Sequence, residues 1–206
     1  MALAARYDEM IAVPRALRWP AELQPPARFE PALAETWPRL VGRLEFVDER
    51  LLYLPPCGDT QQYTVTDVVI TLGTWVRAHP EFVLGTNEAG MHLRGETRAA
   101  DAAVWRMADV GPNRGGFQRV PPVLAVEVAG EDGDAEEQLV EKAAWYLGHG
   151  VAVVWILLPE ERGVRVVTHD GLVRLGRDAT ISPHPLLPDL TPPVAELFTQ
   201  IDRTRR

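Results

Sequence analysis

VLAVEVAG, residues 123–130, is an apolar run interrupted by one acid, Glu127. Such a run predicts a strand buried on both faces, as strands of parallel sheets are. A second run, VAVVWILLP, occupies residues 151–159. Between them lies DGDAEEQLVEKAAWYLGHG, residues 132–150. Its apolar residues recur at helical spacing, acids fill the first turn, Asp134 can cap it, and Gly148 or Gly150 can end it. Strand 123–129, helix 134–147 and strand 151–158 make a β-α-β unit, for which parallel pairing and a right-handed crossover are expected.

Working outward, GVRVVTHDGLVRLG (163–176) predicts a hairpin turning at Asp170–Gly171, which makes the sheet mixed. SPHPLLPDLTPPVAELF (182–198) reads as proline-rich coil with a short helical tail. Upstream, RAADAAVWR (98–106), GMHLR (90–94) and EFVLG (81–85) read as three short strands, and ADVGPNRGGFQRVPP (108–122) as a loop. TVTDVVITLGTWVRAHP (64–80) has helical spacing and stops at Pro80. LEFVDERLLYLP (44–55) predicts two strands around Asp48–Glu49. EPALAETWPRLVGRL (30–44) predicts a helix interrupted or restarted at Pro38. The expected architecture is an extended N-terminal arm over residues 1–30 and one α/β domain over 31–200, a mixed β-sheet flanked by helices.

The 206 residues suffice for one domain with its own core. Cys57 is the one cysteine, so no intramolecular disulfide forms, which fits a reducing compartment. No apolar run approaches the roughly 20 residues that span a bilayer, and the N-terminus does not read as a signal peptide, so a cytoplasmic protein is expected. The net charge of −8 argues against a general nucleic-acid binder, but the charge is uneven. Five arginines and three acids lie between Arg94 and Arg119, and seven acids without a base between Glu127 and Glu141.

Three residues carry candidate chemistry. Glu127 and Asp101 sit inside strand-like runs beside alanines, where a carboxylate requires a partner or a metal. On a regular strand Ala99, Asp101 and Ala103 share one face. Lys142 is the only lysine beside twenty arginines. Arginine does not replace a compact, titratable ammonium on a thin stem. At 100° per residue Lys142 borders the apolar stripe centred on Leu139, with Gln138 and Tyr146 at the positions four away, so no ordinary Glu–Lys helix pair explains it. Two acids and a lysine are a kit for Mg²⁺-assisted phosphoryl chemistry.

Other candidates read as structure. Cys57 has no base in view, the five histidines (79, 92, 149, 169 and 184) lack zinc-ligand spacing, and GPNRGG lacks the lysine of a phosphate loop. Gln61 and Gln62 read as turn residues. Trp75, Trp105, Tyr146 and Trp155 read as core. Arg94, Arg98, Arg114 and Arg119 are available for phosphate contacts or are solvated.

The ordered set RLEFVDERLLYLPP, RAADAAVW, PPVLAVEVAG, VEKAAWYLGHGVAVVWILLP and LPDLTPPVAELF resembles the PD-(D/E)XK nuclease superfamily. More narrowly, it resembles the Uma-two family of restriction-endonuclease-like proteins, from about Glu30 to Phe198. The resemblance implies a restriction-endonuclease-like core and a Mg²⁺- (or Mn²⁺-) dependent endonuclease acting on nucleic acid, DNA in the first instance, with a homodimer as one possible assembly. It implies Asp101 and Glu127 as metal-binding and catalytic acids, the Val128 carbonyl as a further metal ligand, Lys142 as a catalytic lysine moved from strand to helix, and Glu45 as an acid assisting metal or water. The chain departs from the pattern at Ala129, which stands where the superfamily has its lysine, and at Gly130, Glu49 and Gln61–Gln62, where relatives often have serine, glycine and histidine. The competing expectation is therefore a nuclease-fold protein with an eroded site, binding nucleic acid or protein; hydrolysis of another phosphate ester would use the same residues.

Overall fold

The computed structural model describes residues 19–112, 115–130 and 136–204. Strands β1 (Ala21–Leu23), β2 (Arg43–Val47), β3 (Arg50–Leu54), β4 (Phe82–Leu93), β5 (Glu96–Arg106), β6 (Leu124–Val128), β7 (Val153–Leu158), β8 (Gly163–Thr168) and β9 (Gly171–Leu175) form a single mixed sheet. Helices α1 (Asp59–Ala78) and α2 (Glu136–Gly148) flank it, and α3 (Thr199–Thr204) closes the chain. β6 and β7 pair in parallel around α2, and the other pairings between these strands are antiparallel.

Each helix covers one side. Val68, Leu72 and Trp75 of α1 pack with Ala102, Val104, Leu124, Val126 and Trp155. Leu139, Ala143 and Tyr146 of α2 pack with Ala103, Trp105, Ala125, Val154 and Ile156. All residues of β6 and β7 are buried. That explains why their sequences show no polar alternation: both faces lie under a helix. Fully burying each Val, Leu or Ile contributes about 1.5–3 kcal/mol. The four aromatics Trp75, Trp105, Tyr146 and Trp155 are core residues.

β5 organises the functional half of the sheet. β4 pairs along its whole length on one edge. β2 and β6 share the other edge: β2 pairs at Thr97 and β6 at Ala102–Val104. Residues 98–101 therefore face a fork where β2 and β6 part, a notch without a neighbouring backbone.

Several local expectations are corrected. Residues 30–44 form no α-helix; only a 3₁₀ turn, Ala34–Thr36, is present. There the Thr36 hydroxyl bonds to the carbonyls of Glu30 and Leu33, competing with helix extension, and Pro38 lacks an N–H to continue one. EFVLG and GMHLR are one strand, β4, with a bulge at Asn87–Glu88, both at positive φ. Within the stretch read as an arm, Ala21–Leu23 pairs with β3. β7 starts at Val153 rather than 151. The Asp134 cap and Arg114 fall outside the described residues. Among the described residues no helix is long and apolar enough to cross a membrane.

Candidate active site

The notch in β5 is filled by side chains, and these are the candidate residues. Asp101 lies opposite the β4 bulge. Its strand does not alternate simply there: Ala102 and Val104 pack on the α1 side, but Ala100, Ala103 and Trp105 on the α2 side. The expected shared face of Ala99, Asp101 and Ala103 is thus interrupted by the bulge, which re-aims side chains locally. Asp101 Oδ2 accepts the Val128 N–H at 2.8 Å, taking a β6 backbone group beyond the last β5–β6 rung.

Lys142 lies within the buried stripe of α2, with Leu139, Ala143 and Tyr146, rather than at its border. Its ammonium reaches Glu45 Oε1 at 2.7 Å, Glu127 at 3.0 Å and the Ala99 carbonyl at 3.0 Å. Its three protons are thereby engaged. The Tyr146 hydroxyl donates to Glu127 Oε1 at 2.6 Å. Glu45 Oε1 accepts a long hydrogen bond, 3.5 Å, from the Ala99 N–H, and Oε2 pairs with Arg98 at 3.3 Å. Glu45, Glu127 and Lys142 are 4%, 2% and 8% exposed.

Sequence reasoning missed Arg43 and Glu88 and gave Gln61 and Arg98 other roles. Gln61 is not a turn residue: it lies in the first turn of α1, 2% exposed, and its Nε2 donates to both oxygens of Asp101 (3.4 and 3.3 Å) and to the Val128 carbonyl (3.1 Å). Arg43, at the start of β2, pairs with Asp101 at 3.4 Å and lies 3.8 Å from Glu88. Arg98 pairs with Glu45, whereas Arg94 and Arg119 donate to the carbonyls of Gly148 and Ala32. Glu88 comes from the bulge, its side chain 41% exposed. Four backbone groups at the fork are thus held by four site side chains: Ala99 N–H by Glu45, Ala99 C=O by Lys142, Val128 N–H by Asp101 and Val128 C=O by Gln61.

Electrostatically the notch holds four carboxylates (Glu45, Glu88, Asp101, Glu127) beside three cations (Lys142, Arg43, Arg98). Burial pushes Glu127 up to about 7; Asp101 and Glu45 add to the rise, and Lys142 and Tyr146 oppose it. Burial also raises Asp101, which Arg43, the Val128 N–H, Lys142 and Gln61 only partly offset. Partial burial of the carboxyl raises Glu88 to about 7 against the pull of Arg43. Glu45 goes the other way: burial opposes ionisation, but Lys142, Arg98 and Arg43 together hold it below the usual range. Lys142 is held above its usual value because Glu127 and Glu45 outweigh burial.

A pH signature follows from Glu127. Its carboxyl binds a proton more tightly folded than unfolded, so its favourable contribution is complete below pH 4.5 and is lost as pH rises through 7. The loss is of order 3 kcal/mol. Glu127→Gln keeps acceptors for Lys142 and Tyr146 but cannot ionise. Urea denaturation should show it gaining on wild type by up to about that amount between pH 5 and 8. A difference that stays flat with pH contradicts the burial of this carboxyl beside other acids.

A family profile, Uma2, described as "Putative restriction endonuclease", matches residues 34–196. The chain belongs to this family. A crystal structure of "a putative nuclease belonging to DUF820" from Anabaena variabilis superposes with a TM-score of 0.71 at 14% identity, covering 81% of this chain and 96% of that one. The Uma2 chain thus shares that protein's nuclease-like α/β fold. No curated protein matches.

Proposed function

We propose that the chain is a nuclease of the Uma2 family that hydrolyses phosphodiester bonds of DNA with the help of Mg²⁺ or Mn²⁺. The observation that carries this reading is the meeting of Asp101, Glu127, Lys142 and Glu45 at one fork in the sheet, on a fold and in a family both described as nuclease.

The donor set suits a hard cation. The Asp101 and Glu127 carboxylates and the Val128 carbonyl are oxygen donors of the kind Mg²⁺ prefers. Four carboxylates also outnumber the three cations at the fork, an imbalance that a divalent ion would offset. Among the described residues no three acidic, histidine or cysteine side chains stand in ready metal-binding geometry, so loading requires rearrangement, above all of Gln61 and Arg43 on Asp101. A bound cation would polarise the phosphate and acidify an attacking water.

The chain's own groups do the rest. Lys142 orients the water and offsets charge growing on the phosphate. Glu45 holds the lysine and, through Lys142 and Arg98, stays ionised. Arg43, beside Asp101, is placed to meet a phosphate oxygen. The reading places the protein in the cytoplasm with its substrate, and a homodimer would present one site to each strand of a duplex.

The test is cleavage of linear and supercoiled DNA, and of RNA, by purified protein with Mg²⁺ or Mn²⁺. DNA cleavage abolished by EDTA is expected. The competing reading, an eroded nuclease fold used for binding, draws on one observation: all three Lys142 protons and the Asp101 oxygens already have protein partners. Calorimetry that detects no cation binding, together with intact substrates, would establish that second reading.

A further inference from the structure

Gln61 stands in an unusual position. Its side-chain amide is buried between two acceptors, the Asp101 carboxylate and the Val128 carbonyl, at 3.1–3.4 Å. These are two of the three oxygen donors assigned to the cation above. Acceptors on this side dictate the amide's orientation: only the NH₂ end can face them. A cation between the same acceptors reverses the requirement, because the NH₂ hydrogens would then point at positive charge. The amide carbonyl, a hard oxygen donor, would be the favourable end.

We propose that Gln61 is a reversible ligand of the cation site, presenting nitrogen when the site is empty and, after rotation of its amide, oxygen when the cation is bound. Rigid placement makes this economical. The residue belongs to the first turn of the 20-residue helix α1, which is anchored in the core through Val68, Leu72 and Trp75. Only the terminal amide needs to turn, a rotation about a soft sp³–sp² torsion. In the observed arrangement the same side chain donates to the Val128 carbonyl, and a buried acceptor that loses its donor is costly. Gln61 therefore sets the cost of loading as well as part of the affinity. This inference rests on the cation site of Asp101, Glu127 and Val128 proposed above.

The experiment is Mn²⁺ titration, by calorimetry and by electron paramagnetic resonance of free Mn²⁺, of wild type, Gln61→Leu and Gln61→Glu, with thermal melts in EDTA and in excess Mn²⁺. Gln61→Leu should melt lower in EDTA and bind Mn²⁺ roughly tenfold more weakly. Gln61→Glu should also melt lower in EDTA, since it adds a fifth carboxylate, but should bind Mn²⁺ at least several-fold more tightly and recover its melting temperature with the metal. If Gln61→Leu binds Mn²⁺ as tightly as wild type or more tightly, Gln61 is only a lock on the empty site and the inference falls, while the site stands. If wild type itself binds no Mn²⁺, the site and the inference fall together.

Discussion

Lys142→Met should be the most damaging single change in the chain. The ammonium it removes lies within 3.0 Å of two buried carboxylates and a backbone carbonyl. Losing one partner of a buried ion pair costs about 3–5 kcal/mol, since the remaining charge stays buried. The loss should depend on pH. Glu127 sits at about 7 with the lysine present and rises further without it, so at pH 6 it already carries its proton and loses little, whereas at pH 8 it must stay buried as an unpaired charge or bind a proton at a cost that grows with pH. Urea denaturation at the two pH values measures this. On the proposed function, cleavage should fall by roughly a hundred- to a thousandfold, because Arg43, held at Asp101, does not take the lysine's place beside Glu127 and the attacking water. Lys142→Arg should not restore it, as a planar fork cannot occupy the site of a compact ammonium. A methionine variant as stable and as active as wild type would show that the lysine is incidental.

Asp101→Asn should separate stability from activity. Burial holds the Asp101 carboxyl above its usual value, so ionised Asp101 weakens the folded protein. Asparagine keeps an acceptor for the Val128 N–H and removes the charge. Its contribution is nil at low pH, where Asp101 is protonated, and grows as pH rises through the raised folded value. The variant should therefore gain on wild type as pH rises, less whatever is lost where its amide nitrogen faces the Arg43 guanidinium and the Gln61 NH₂. Mn²⁺ affinity should drop by about a hundredfold or more and cleavage should vanish. Should the variant bind Mn²⁺ as the parent does, Asp101 is no ligand.

How far the sequence disclosed this protein varies with the kind of signal. β6, α2 and β7 were legible because sheet burial on both faces and helix amphipathicity leave strong, separate patterns over 123–158. Glu127 and Asp101 stood out as charges inside apolar runs. Gln61 did not, because an uncharged amide near a helix start looks the same whether it faces water or a buried carboxylate. Glu88 was hidden for another reason. The Thr-Asn-Glu stretch falls between EFVLG and GMHLR, which read as separate strands, yet the strand resumes beyond it. An asparagine followed by an acid between two strand-like runs was the available hint of a bulge that aims a carboxylate. Arg43 and Arg98 are charged residues in half-buried strand positions, the same type of anomaly as Asp101, and pairing is what their burial required.

The fork in the sheet has a consequence for comparing relatives. At that point the would-be catalytic groups also serve as the missing rungs between strands, so discarding them unravels architecture along with reactivity. Selection for a folded scaffold alone would retain the lysine, and polar side chains able to make the same backbone bonds at the other positions, long after any cutting had ceased. Their retention across a lineage therefore measures how much that scaffold leans on them, and only turnover measured on each protein counts as a record of catalysis.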